Sequence, residues 1–221
     1  MQKNKAAHLA ARALKAAGGL LVFAFGVYLT IRASIGLAPW DVLATGVSER
    51  TPLSYGDATL LISVLILLID VCLREHIGLG MILDALIVGK AVDLYTFLNL
   101  VPKQESLLAG AAMMAGGFFI MAFGQWVYMS AGLGCGPRDS LLVALGKRVR
   151  KVPIGVVAFA LQGAALLAGW LLGGPVGVGT VLSVAGTGAA MQLVFRIVRF
   201  EPRDVRHEGL VDTFKGLRGN V

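Results

Sequence analysis

Apolar residues lie along this chain in long stretches separated by short polar segments. Six of them, over 13–32, 55–73, 77–98, 106–129, 153–172 and 176–198, reach the roughly 20 residues that crossing about 30 Å of hydrocarbon requires. A backbone in lipid must satisfy its own hydrogen bonds, so each stretch is predicted as a helix. Two shorter helical pieces follow the first and fourth stretches, over 39–50 (PWDVLATGVSER) and 137–149 (PRDSLLVALGKRV). At 1.5 Å per residue each is about 18 Å long, too short to span, and is predicted to be re-entrant or interfacial. The expected fold is an all-α membrane protein of six transmembrane helices. A rival arrangement lets the short pieces cross as well, giving eight spans and parallel halves, but it needs spans of only about 12 residues.

The two halves resemble each other. With a shift of 98 residues, 17–43 matches 115–141 at Ala17, Gly18, Gly19, Ala24, Phe25, Gly26, Ala33, Gly36, Pro39, Asp41 and Leu43. With a shift of 99, Gly56, Gly78, Gly80 and Gly89 pair with Gly155, Gly177, Gly179 and Gly188. The first stretch has the basic flank of a secretion signal, but its match to the fourth makes it part of the expected fold. The predicted organisation is a basic tail over 1–12, one repeat over 13–101, a second over 106–198, and a tail over 199–221. Three spans per repeat is an odd number, so the second repeat is expected upside down relative to the first. Transporters recurrently use this plan.

Charge supports that topology. Lys3, Lys5, Arg12, Lys15, Arg74, Arg138, Lys147, Arg148, Arg150, Lys151, Arg199, Arg203, Arg206, Lys215 and Arg218 all fall on one side of a six-span arrangement. The other side has Arg32, Arg50 and Lys103, with Asp41, Glu49 and Glu105 beside them. The positive-inside rule then places both termini in the cytoplasm.

Composition agrees with a membrane protein. The 221 residues are 57% apolar and 15% charged, against about 25% charged in a soluble domain. The net charge of +7 sits in loops and tails, so nucleic-acid binding is not expected. Cys72 and Cys135 are far apart, and His8, His76 and His207 lie in tails or a loop, so no disulfide framework, metal site or cofactor is expected. No phosphate loop, dinucleotide fingerprint or hydrolase motif is complete, and an enzyme is not expected.

The most distinctive local pattern occurs twice, as ASIGLAPWD over 33–41 and AGLGCGPRD over 131–139. Gly36, Gly134 and Gly136 permit a sharply turned backbone, and Pro39 and Pro137 suit the first position of a new helix. Asp41 and Asp139 then lie in the first turn, either as helix caps or as groups presented to a solute or ion. Arg138 either pairs with an anionic group or serves as a cytoplasmic positive charge. The third stretch holds Asp84, Lys90 and Asp93, which are costly in lipid and are expected to face a partner or a cavity. Lys90 and Asp93 share a face, and either form a helix-locking ion pair or line a polar cavity. The positions matching Asp84, Lys90 and Asp93 in the second half are Ser183, Ala189 and Gln192. Asp70 and Arg74 read as a snorkelling surface pair. Trp40, Trp126 and Tyr128 read as interfacial anchors. The small residues Gly179, Ser183, Gly186, Thr187 and Ala190 read as a close packing face.

GLGCGPRD ending at Asp139, GWLLGGPVGVGT over 169–180 and APWD ending at Asp41 resemble the YczE/YyaS/YitT family of bacterial integral membrane proteins, nearest its YczE-like branch. The resemblance runs from about 14 to 198. It implies a multi-pass protein of the bacterial inner membrane, and carries over no catalytic or ligand residue. The residues themselves point to a small-solute permease or exporter. Its pathway is expected at Asp41, Asp84, Lys90, Asp93, Arg138, Asp139 and Gln192. A non-transporting accessory protein acting through a partner is the alternative. The expected partners are the lipid bilayer and a small solute or ion, with a homo-oligomer left open.

Overall fold

The computed structural model describes residues 2–149, 151–201 and 209–210. Among the described residues eight helices run in order: α1 (Gln2–Arg32), α2 (Pro39–Arg50), α3 (Tyr55–Cys72), α4 (Leu79–Phe97), α5 (Leu107–Met129), α6 (Pro137–Arg148), α7 (Ile154–Leu171) and α8 (Val178–Ile197). Most of the carboxyl tail and Arg150 lie outside the described residues. α1 takes in the basic segment expected as a separate tail. Its 31 residues measure about 46 Å, more than the hydrocarbon layer, so its basic first turns extend beyond the apolar part.

Among the described residues five helices, α1, α3, α5, α7 and α8, are long and apolar enough to cross a membrane. α4 has 19 residues but carries Asp84, Lys90 and Asp93, and does not join that set.

α1 and α5 run antiparallel with their backbones almost touching. A Cβ added at Gly19 would lie 2.5 Å from the Tyr128 amide nitrogen and 2.9 Å from the Gly124 carbonyl oxygen. At Gly26 it would lie 2.7 Å from the Gly117 carbonyl oxygen. Lipid tails are as apolar as leucine, so helices in a membrane gain chiefly from close van der Waals contact, which glycine permits.

The other joints come as matched pairs. The Gly80 N–H donates to the Leu133 carbonyl (2.7 Å), and the Gly179 N–H donates to the Ile35 carbonyl (2.8 Å). Thus α4 begins against the break between α5 and α6, and α8 begins against the break between α1 and α2. Gly36 and Gly134, with φ of 115° and 112°, give each break its left-handed turn. A Cβ on Gly36 would meet the Gly177 nitrogen at 2.6 Å, and one on Gly134 would meet the Gly78 Cα at 3.1 Å. At the far ends of the short helices, the Arg50 Nε donates to the Leu172 carbonyl at 3.1 Å, and Arg148 donates to the Leu73 carbonyl. These two arginines satisfy carbonyls that α7 and α3 leave unpaired at their ends.

Buried polar groups close the remaining joints. Arg32 donates to the Tyr28 hydroxyl and to Asn99, and the Tyr28 hydroxyl donates to the Val101 carbonyl (3.1 Å). This ties the end of α1 to the segment between α4 and α5. The Arg12 guanidinium donates to the carbonyls of Ala131 (2.8 Å) and Gly132 (2.9 Å), placing a positive charge at the carboxyl end of α5.

Substituting Gly124→Ala puts a methyl group 2.4 Å from the Phe23 amide nitrogen. Overpacking of this kind is expected to lower unfolding free energy by roughly 1–3 kcal/mol. Gly116→Ala, with nothing within 4 Å, is the control and is expected to hold or raise stability. Thermal unfolding of the two variants in detergent checks the contrast.

Candidate functional site

The polar breaks converge, with Asp41 buried, Asp84 and Arg138 half-buried and Asp139 exposed. Pro39 and Pro137 each open a short helix, and Asp41 and Asp139 occupy the first turns. The two turns face each other: the Arg138 guanidinium lies over the Trp40 ring, 5.2 Å from its centroid. Arg138 is within electrostatic reach of Asp41, Asp84 and Asp139, which come from three different helices. None of these carboxylates closes an ion pair with it. Asp41 is buried and accepts a hydrogen bond from the Tyr55 hydroxyl at 2.9 Å. Gln125 on α5 faces Asp139. Asp84 lies beside Gly136, its carboxylate oxygens 3.3 and 3.8 Å from where a Cβ of that glycine would stand. The Tyr128 hydroxyl is within reach of Asp84 and Asp139, and has no hydrogen-bond partner.

The cluster thus joins Asp41, Asp84, Arg138 and Asp139 among the expected residues, with Gly36, Pro39, Gly134, Gly136 and Pro137 shaping the backbone. Three carboxylates face one guanidinium, and the buried Asp41 is the one for which unpaired charge is most costly. Cys135, in the loop before α6, stands beside them. Burial, then the Asp139 charge, pushes its thiol up to about 11. Among the described residues, no group of three or more His, Cys, Asp and Glu is placed to hold a metal ion.

Lys90 and Asp93 lie elsewhere. Lys90 pairs with Asp57 at 2.5 Å rather than with Asp93. Asp93 accepts the Gly56 N–H (2.9 Å) and the Ser54 hydroxyl (2.6 Å). A carboxylate of α4 therefore caps the amino end of α3, where free N–H groups and the helix dipole favour an anion. Ser54 also accepts from the Asp57 N–H at 3.0 Å, completing the turn. The geometry favours the helix-locking alternative at Asp93, and Asp57 was the partner missing from the sequence reading. Its signal was present: Ser54 and Asp57 have the three-residue spacing of a capping box.

Three further positions differ from expectation. Gln192 is exposed on α8 and is not part of the cluster. Asp70 is wholly buried, with neither carboxylate oxygen hydrogen-bonded and the Ser140 hydroxyl nearby, so it is not a surface partner of Arg74. α3 ends at Cys72 and Arg74 turns into the left-handed region (φ 57°), which breaks the helical spacing of the supposed pair. Tyr128 is 1% exposed and belongs to the core rather than to an interfacial belt. The small residues of α8 do pack closely, with Gly179 against Gly36 and Gly186 against Phe118.

Removing the cap with Asp93→Ala is expected to lower stability by about 1 kcal/mol, within the usual 0.5–2 range for a lost cap. Lys90→Ala removes only a half-exposed partner and is expected to change it less. Equal losses in thermal unfolding would contradict the capping role.

The chain belongs to a family described as being of unknown function (DUF6198), which matches residues 10–196. It is 31% identical over 179 residues to an uncharacterized protein of Haemophilus influenzae, covering 81% of each chain. It is 31% identical over 180 residues to the uncharacterized membrane protein YczE of Bacillus subtilis, covering 79% of this chain and 80% of that one. It is 29% identical over 186 residues to the uncharacterized protein YyaS of the same organism, covering 81% and 90%. No solved structure matches the chain. With its five long apolar helices and this kinship, the protein is a multi-pass membrane protein.

Proposed function

We propose that this member of the DUF6198 family is a permease or exporter of a small solute. In this reading it has six spans in two inverted three-span repeats, with both termini in the cytoplasm and the inner membrane of a bacterium as its location. The observation that carries the proposal is the convergence of Asp41, Asp84, Asp139 and Arg138 where the two broken segments meet. Broken helices meeting at a charged centre are how many transporters hold solutes and ions.

The repeat is supported by the matched joints. Gly80 to Leu133 and Gly179 to Ile35 are the same hydrogen bond displaced by 98 or 99 residues. So are Arg148 to Leu73 and Arg50 to Leu172. Gly19 against Gly124 and Gly26 against Gly117 exchange under the same shift. The antiparallel run of α1 and α5 fits inversion. α4 serves as the sixth span because its polar groups meet protein partners: Asp93 caps α3, Lys90 meets Asp57, and Asp84 joins the cluster. Rocking of one repeat against the other would open the cluster to alternate sides.

The test is a thermal-shift screen of the purified protein against small metabolites, followed by flux of any hit into proteoliposomes. A ligand at 100 times its Kd is expected to add about 2.7 kcal/mol to native stability. Asp139→Asn is expected to weaken both the shift and the flux at least tenfold. A hit unaffected by Asp139→Asn, or no flux above protein-free liposomes, would turn the account toward an accessory role.

A further inference from the structure

We propose that Asp84, the Tyr128 hydroxyl and the Gly134 carbonyl form an oxygen-lined site for one monovalent cation. The inference deepens the transport reading and rests on the polar cluster being a binding centre.

Charge bookkeeping within the cluster leads to it. Asp41 is held by the Tyr55 hydroxyl and has Arg138 within reach. Asp139 has the amino end of α6 behind it and Gln125 in front. Asp84 has no hydrogen bond or ion pair among the described residues, and it shares the single Arg138 with Asp41 and Asp139. One guanidinium does not balance three carboxylates, and a bound cation beside Asp84 would offset part of the difference.

Other oxygens lie one turn of α4 away, close to Gly80. Around the position a Cβ of Gly80 would take, the Leu133 and Gly134 carbonyl oxygens each lie at 3.0 Å and the Tyr128 hydroxyl at 3.1 Å. Leu133 already accepts the Gly80 N–H. The Tyr128 hydroxyl is buried, lacks any partner, and has Asp84 and Asp139 within reach, although a buried hydroxyl normally finds one. Gly80 and Asp84 are four residues apart on α4, so they share the face that runs beside the unwound 133–136 segment. Carboxylate, carbonyl and phenol oxygens are hard donors that suit an alkali ion, and they are also the acceptors an ammonium group needs. The other half has no equivalent: Ser183, at the position matching Asp84, donates to the Thr180 carbonyl of its own helix (2.8 Å).

The experiment measures the unfolding temperature of the full chain in detergent, at constant ionic strength, in NaCl, methylammonium chloride and choline chloride. A saturable rise in NaCl over choline identifies an alkali ion. A rise in methylammonium chloride alone identifies the ammonium head of an organic solute. Asp84→Asn and Tyr128→Phe are expected to abolish at least nine-tenths of the rise. Tyr128→Phe removes only a hydroxyl without a partner, so it is expected to fold even where Asp84→Asn does not. Identical unfolding in all three salts overturns the proposal, as does a rise that survives Tyr128→Phe unchanged. A metabolite whose flux needs Asp139 but ignores the cation removes this inference and leaves transport standing. A cation effect without metabolite flux does the reverse.

Discussion

α1 and α5 can lie backbone to backbone because Gly19, Gly26, Gly117 and Gly124 leave no Cβ between them. Every other joint follows from that approach. It brings the break after α1 within reach of α8, and the break after α5 within reach of α4. At those points Gly179 and Gly80 donate to backbone carbonyls that no helix satisfies. A membrane offers little hydrophobic force between helices, so close packing and satisfied backbone groups must do this work.

The breaks in turn fix the charged centre. A left-handed glycine turns each chain, a proline opens the next helix, and an aspartate falls in its first turn. Because the two first turns face each other, Asp41 and Asp139 come to the same Arg138. α4 adds Asp84 from the side. The polar groups are then of two kinds. At the amino end of α3, Asp93 accepts the Gly56 N–H and the Ser54 hydroxyl while Lys90 pairs with Asp57, and these contacts act as fasteners. The central groups are satisfied only in part.

Much of this was legible in the sequence. The 98-residue echo marked the glycines of the α1–α5 crossing and both breaks, since spacing and residue type were duplicated together. Asp84 and Asp93 lie nine positions apart, half a turn round a helix, and they do go to separate places. What stayed hidden depended on tertiary partners. Lys90 is three residues from Asp93, yet its flexible stem reaches a carboxylate on another helix. Tyr128, near the end of an apolar stretch, has the look of an interfacial aromatic, but packing against α1 and α4 buries it. Asp70 and Arg74 have the spacing of a helical pair, but the helix stops between them.

The central claim is that the two short helices belong to repeats of opposite orientation. Thr51 and Val149 are exposed at their far ends and are 98 residues apart. In a background with Cys72 and Cys135 replaced, Thr51→Cys and Val149→Cys can each be treated in intact cells and inverted vesicles with a maleimide that does not cross membranes. The account predicts that Thr51→Cys labels only from outside the cell and Val149→Cys only from the cytoplasmic face. Labelling of both from the same side would contradict it.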